Sequence, residues 1–473
     1  MNFDKILKFG NCFIDGEFIK TNIAIKNGKI AEIFDHDNFT SKEVIDVSNK
    51  YIIPGCIDAH FHVRSPSYPS RGTIESETMA AAAGGVTTVF EMPISNPCCS
   101  TPEIFNSRKE YFKGRSYVNY GLFAAPGTIY QQNNKSYKNI YEKDFDKISS
   151  FKKIGAIGFK IFMIKAPRGR ENEFSGLSIV DEGHLYHTLK LIKNTNLVTT
   201  VHAENDSLLN YYNYSIPLSK KYKPETHNEL RPTILESAAI NTLLYLNKSI
   251  NTKLHIAHLS SEEGLEIIQQ YQNAGSDVST ETCPHYLLFN KTVLSEYGNF
   301  AKINPPIRGE KDRIALWEGI NNSNITIIAS DHAGFCYDEK IKEKNISKVP
   351  PGHPGVNSLL YSLLNQIDSS KKITLKNIVN LCSTNPAKRF NIYPQKGCLK
   401  QNSDADLIVL DLNEKGTYNK NIQFSLSKES DYLYNGMEIN GSINYTIVNG
   451  VTVYKNNNII KLNKPGKFVK PLI

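Results

Sequence analysis

The chain has 473 residues, of which 40% are hydrophobic, 10% aromatic and 22% charged, a composition that excludes a disordered chain and a small disulfide scaffold. The 55 Lys+Arg against 47 Asp+Glu leave a net charge of +8, with lysines scattered rather than gathered into the basic face that nucleic-acid binding needs. No run of about 18 apolar residues is present, and the start, Met1-Asn2-Phe3-Asp4-Lys5-Ile6, lacks the pattern of a secretory signal. A cytoplasmic protein with no membrane and no nucleic-acid partner is expected. Its eight cysteines include no C-x-x-C pair and are expected to be reduced thiols.

In chain order, residues 1–51 read as short strands. Segments 6–13 and 21–25 are strand-like, Asp15-Gly16 marks a turn and Asn27-Gly28 a hairpin. From residue 52 the pattern changes. Eight apolar, β-branched runs recur, at 52–62, 86–92, 117–123, 156–163, 197–203, 253–259, 277–283 and 325–331. Amphipathic, helix-like stretches lie between several of them, at 73–83, 181–193, 234–246, 262–272 and 311–320. Alternating strand and helix points to a parallel sheet, and eight repeats fit a (β/α)8 TIM barrel, a fold of about 250 residues. A doubly wound sheet is the structural rival, but it carries a Gly-rich phosphate turn after its first strand, and none is seen. After residue 392 short strands return, at 406–411, 445–448 and 451–454, with a second hairpin signal at Asn449-Gly450. The two strand-rich ends, 1–51 and 393–473, are expected to pair into one small composite β-sandwich domain beside a 52–392 barrel. Residues 464–473 read as a tail that docks or frays.

In such a barrel, polar residues at the carboxyl ends of the strands form the site. The first strand ends Asp58-Ala59-His60-Phe61-His62, where His60 and His62 point to one face. The fifth ends at His202, the sixth at His258 and the eighth at Asp331. Four histidines and an aspartate at four strand ends make a metal-ligand set. His255, three residues from His258, is expected on the opposite face, as a packed core histidine. On the fourth strand Lys160 sits among apolar neighbours. Lysine is almost never buried unpaired, and a desolvated amine loses its proton more readily and can add carbon dioxide to become an anionic carbamate.

Together these residues resemble the cyclic-amidohydrolase branch of the amidohydrolase superfamily: dihydroorotase, allantoinase and dihydropyrimidinase (hydantoinase). The segments that carry the resemblance span nearly the whole chain. They are Pro54-Gly55-Cys56-Ile57-Asp58-Ala59-His60-Phe61-His62, Ala81-Ala82-Ala83-Gly84-Gly85-Val86-Thr87-Thr88, Gly158-Phe159-Lys160, Val201-His202-Ala203-Glu204-Asn205, His258-Leu259-Ser260-Ser261, Glu281-Thr282-Cys283-Pro284-His285-Tyr286-Leu287, Asn304-Pro305-Pro306-Ile307-Arg308 and Ser330-Asp331-His332. The resemblance implies two divalent cations, commonly zinc. His60, His62 and Asp331 would hold one, His202 and His258 the other, and N6-carboxylated Lys160 would bridge them. It implies hydrolysis of a ring C–N bond by a hydroxide between the metals, with Asp331 as the catalytic proton carrier, in a homodimer or homotetramer. A catalytically inactive scaffold of the same fold and a single-metal deaminase are the other readings; metal content separates them from the hydrolase.

The ring is less defined. His60-Phe61-His62-Val63-Arg64 resembles the dihydroorotase motif, in which the arginine binds a substrate carboxylate, and Pro350-Pro351-Gly352-His353-Pro354-Gly355 is also dihydroorotase-like. Yet Met92-Pro93 is followed by Ile94 instead of asparagine, with Asn96 the nearest, and the second histidine after Asp331-His332 is missing. The tyrosine that follows the bridging lysine in hydantoinases is missing too, and Arg64-Ser65-Pro66 replaces the acidic segment of allantoinases. A cyclic ureide or imide is expected as substrate, with an anionic substituent near Arg64 and with Asn96 and Asn304 as further contacts.

Overall fold

The computed structural model describes residues 2–36, 38–129, 137–368, 373–460 and 464–472. Eight parallel strands form the barrel: β1 (Cys56–Phe61), β2 (Val86–Glu91), β3 (Asn119–Ala124), β4 (Gly158–Phe162), β5 (Val198–His202), β6 (Leu254–Ile256), β7 (Val278–Thr282) and β8 (Ile327–Ile328). They neighbour one another in sequence order. The ring is closed just past the strand ends, where Phe61 pairs with His332 and the His62 amide donates to the His332 carbonyl at 2.9 Å. Ile57, Phe90, Phe123, Val198 and Ile327 pack inside it against Phe390 and Ile392, all fully buried. An apolar plug of this kind leaves the polar strand ends as the place where chemistry can sit.

Helices start where the residues supply caps. Thr73 accepts from the Ser76 amide ahead of Ile74–Ala83, Asp181 from His184 ahead of Glu182–Lys193, and Ser261 from Gly264 ahead of Glu262–Asn273. Each satisfies an amide that the helix cannot.

A second, nine-stranded sheet gathers both chain ends. Its seam is Tyr51–Pro54, which pairs in parallel with Lys5–Ile14 and antiparallel with Leu407–Thr417. The apolar run at 52–62 is therefore two strands in two sheets. Gly55 turns the chain between them, because a Cβ there would lie 2.0 Å from Thr87 Oγ1. The tail docks: the Tyr120 amide donates to Lys467, and Val469 donates back to Tyr120 at 2.8 Å. Among the described residues no helix is long and apolar enough to cross a membrane.

Candidate metal centre and active site

The carboxyl ends of β1 and β8 bring His60, His62 and Asp331 together. Their ligand atoms lie within 4.8 Å of one another, and all three residues are buried. Asp331 Oδ1 is 3.3 Å from His60 Nε2 and 3.7 Å from His62 Nε2. Beside them, His202 Nδ1 and His258 Nε2 stand 2.9 Å apart, and the His60 and His258 rings are 5.1 Å apart. His258 and Asp331 adopt φ of +37° and +47°. Non-glycine residues in that region carry strain that persists where a site over-determines the backbone.

Lys160 is fully buried on β4, and its Nζ has no hydrogen-bond partner. His62 Nδ1 and His258 Nδ1 are likewise unpartnered. Burial holds the His60 imidazole down to about 4 and His62 and His258 well below the ordinary histidine range. It pulls Lys160 down to about 8, against the attraction of Glu281 and Asp331. Neutral imidazoles are the metal-ligating form. A partnerless buried amine costs about 1–3 kcal/mol, and the converging neutral imidazoles and carboxylate form a donor set that fits a divalent cation.

A layer of carboxylates lies beneath. Asp58 accepts from the Ser330 amide at 2.9 Å and the His60 amide at 3.3 Å, with the Ser330 hydroxyl as a third donor. Glu281 on β7 accepts from His60 Nδ1 at 2.5 Å and from His255 Nε2 at 3.1 Å. Burial alone would raise Glu281, but His60 and His255 hold it well below the usual carboxylate range. Glu204 accepts from His202 Nε2 at 2.7 Å and pairs with Arg231.

His255 is the packed core histidine expected, fully buried against Phe390, but the alternation rule misplaces its face. β6 stops at Ile256, His258 turns to positive φ, and the three-residue offset no longer reverses the face. His255 is buried and tied to Glu281, in contact with the His60 support. Glu281, Glu204 and Asp58 carried no assigned role in the sequence reading. The signal that could have placed Asp58 on the face of the ligands is the same i, i+2 spacing that paired His60 with His62.

A cleft of about 790 Å³ opens over these groups, lined among others by Arg64, Arg71, Ile94, Phe174, Asn304 and Phe335. Arg64 is 7% exposed, and its Nε and Nη1 have no partner. Arg71 grips Glu339 through Nε and Nη2 but leaves Nη1 buried and unpartnered. Both guanidinium groups lie over the Phe335 ring, at 5.7 and 4.9 Å. Asn304 Oδ1 is also buried without a partner. Asn96 is not brought to the cleft. It is exposed, and its carbonyl accepts from Ser67 Oγ at 2.8 Å, because the chain turns outward once Ile94 has filled the wall. The opposite rim comes from two segments that pack together: Leu230 meets Ile346 and Val349, and buried Lys302 donates to the Val349 carbonyl at 2.6 Å.

Comparison with known proteins adds to this geometry. Residues 51–453 match the model of the amidohydrolase family. An L-hydantoinase of Paenarthrobacter aurescens is 30% identical over 99% of this chain and 98% of its own. An allantoinase of Bacillus licheniformis is 29% identical over 99% and 100%. The solved structure of an L-hydantoinase (dihydropyrimidinase) from Arthrobacter aurescens superposes with a TM-score of 0.90 at 29% identity, covering 99% of this chain and 100% of that one.

Proposed function

This chain belongs to the amidohydrolase family, in the branch that hydrolyses cyclic amides, and we propose that it opens a cyclic ureide or imide with two divalent cations at the carboxyl ends of its barrel strands. The observation that carries this reading is the convergence of His60, His62 and Asp331 beside the His202–His258 pair, around the partnerless Nζ of Lys160.

His60, His62 and Asp331 would hold one cation, His202 and His258 the other, with zinc the proposed ion. Lys160 would bridge them as N6-carboxylysine: its neutral amine forms an N–C bond to carbon dioxide and releases one proton. When bound, the two cations supply a water ionised near neutral pH and a polarised ring carbonyl.

The chain's own residues do the rest. Asp331, whose Oδ1 faces His60 and His62 as the ligand atom, takes the proton of the attacking water on its other carboxylate oxygen and hands it to the ring nitrogen as the C–N bond breaks. Asp58 holds the turn that carries Asp331 through the Ser330 amide. Glu204 accepts from His202 Nε2, which keeps Nδ1 as the free lone pair. Ile94 and Phe174 keep one wall apolar, and Asn304 offers an amide to the ring.

Arg64, with two unpartnered buried nitrogens, selects a ring that carries a carboxylate, and Arg71 adds a third such nitrogen. A planar guanidinium matches a carboxylate in charge and shape. Asn96 is withdrawn from the substrate contacts. A homodimer or homotetramer is proposed, since Tyr211, Tyr214 and Leu218 on one short segment are more than half exposed and a second copy would cover them. A cytoplasmic setting suits eight free cysteines. An inactive scaffold or a single-metal deaminase is less supported, because the full donor set for two cations is in place.

Two measurements test the reading. Elemental analysis is expected to find about two divalent cations per chain. Turnover is then assayed on dihydroorotate, allantoin, hydantoin, a carboxyalkyl-hydantoin and dihydrouracil. No turnover on any ring, with no metal bound, sinks the hydrolase.

A further inference from the structure

One carboxylate reaches both halves of the candidate metal centre. Glu281 is completely buried on β7. Its Oε1 accepts from His60 Nδ1 at 2.5 Å and from the His258 amide at 3.3 Å. His60 sits on β1 and His258 just past β6, so one side chain spans the two proposed cation positions. Its Oε2 accepts from His255 Nε2 at 3.1 Å, and His255 Nδ1 meets Ser279 Oγ at 2.8 Å. Ser279, His255, Glu281 and His60 thus form one continuous chain across three strands. His60 and His258 line the cleft, whereas Glu281, His255 and Ser279 do not.

We propose that Glu281 is the positioning residue of this centre: it fixes the tautomer of His60 and the place of His258 before any cation arrives. The proposal rests on the metal reading above. A carboxylate only accepts. His60 must therefore carry its proton on Nδ1, which leaves the Nε2 lone pair facing Asp331. Without that acceptor the imidazole is free to place its proton on Nε2, and that tautomer cannot ligate through Nε2. An outer partner of a ligating histidine typically changes metal affinity by about 10–100-fold.

Glutamine and methionine separate acceptor from packing. In E281Q the amide oxygen takes the Oε1 place and still accepts from His60 and His258. The amide NH2 then faces His255, which answers by accepting on Nε2 and donating from Nδ1 to Ser279 Oγ. His255 absorbs the change, and the His60 tautomer survives. E281M keeps the volume and loses the acceptor.

The experiment uses the full chain with zinc. Zinc affinity is measured by competition with a chelator, and the folding of each zinc-free variant by thermal unfolding. The His60 tautomer is read from its imidazole 15N shifts. E281Q is expected to keep zinc affinity within about 3-fold of wild type and to keep the Nδ1–H tautomer. E281M is expected to lose about 10–100-fold in affinity. Wild-type affinity in a folded E281M overturns the proposal, as does an Nε2–H tautomer in the wild-type or E281Q zinc-free protein. If E281M does not fold, the E281Q tautomer and affinity decide alone. If wild type binds no zinc, the metal reading fails, whereas the tautomer of zinc-free wild type still tests Glu281.

Discussion

The floor beneath the strand ends and the cleft wall above them are both buried and both polar, yet they are finished differently. On the floor, Asp58 and Glu281 each accept three hydrogen bonds from the protein. On the wall and at the centre, Lys160 Nζ, Arg64 Nε and Nη1, Arg71 Nη1 and Asn304 Oδ1 have none. Each such orphan costs about 1–3 kcal/mol; other buried atoms, such as Glu204 Oε1 and Thr200 Oγ1, are also unpartnered, but those of Arg64, Arg71 and Asn304 gather on one cleft. The satisfied groups hold geometry; the unsatisfied ones wait for something the chain does not contain. In the proposed reading that is carbon dioxide and metal at Lys160, and an anion at the arginines.

Removing an unsatisfied group is thus expected to cost function, and removing a satisfied one to cost metal affinity or stability. The largest effect is expected for K160M, which should lose turnover to below detection and bind less than the full metal complement, measured by elemental analysis, while folding normally. A lysine that serves only packing would leave metal content alone. D331N follows, with kcat down about 10²–10⁴-fold as the proton carrier is lost and KM changed far less. R64Q should raise KM on the order of 10-fold for a carboxylate-bearing ring, since a hydrogen bond to a charged group is worth about 1.5–3 kcal/mol, and leave neutral rings unaffected. Equal KM changes on both ring types would dissolve the distinction between wall and floor. The smallest effect is expected from metal removal on stability. With free metal at about 100 times its Kd, binding adds about 2.7 kcal/mol, so chelation should lower Tm by a few degrees without unfolding the barrel. Collapse of the fold on chelation would show that the metals hold the barrel itself together.

Much of this was legible beforehand because it depends on short-range rules. The amphipathic stretches at 73–83, 181–193 and 262–272 are helices, capped by Thr73, Asp181 and Ser261. Asn27-Gly28 and Asn449-Gly450 turn the two hairpins that they mark. His60 and His62 converge by simple alternation. The readings that needed correction depended on geometry that alternation does not encode. β6 and β8 are three and two residues long, so His258 and Asp331 follow a turned backbone and His255 shares their side. Asn96 was placed by its nearness in sequence to Met92-Pro93, but the wall position belongs to Ile94. The roles of Glu281 and Asp58 depend on partners far along the chain, 221 residues away at His60 and 272 at Ser330. No local pattern contains such a contact. The rim formed by Leu230 against Ile346 and Val349 is legible only after folding, because each segment alone reads as a loop.

The decisive experiment is a crystal structure of the zinc-loaded enzyme with anomalous scattering collected at the metal edge. Two anomalous peaks flanking Lys160, with added density for one carboxylate on its Nζ, are expected. A bare amine at position 160, with a single peak or none, would contradict the two-cation centre.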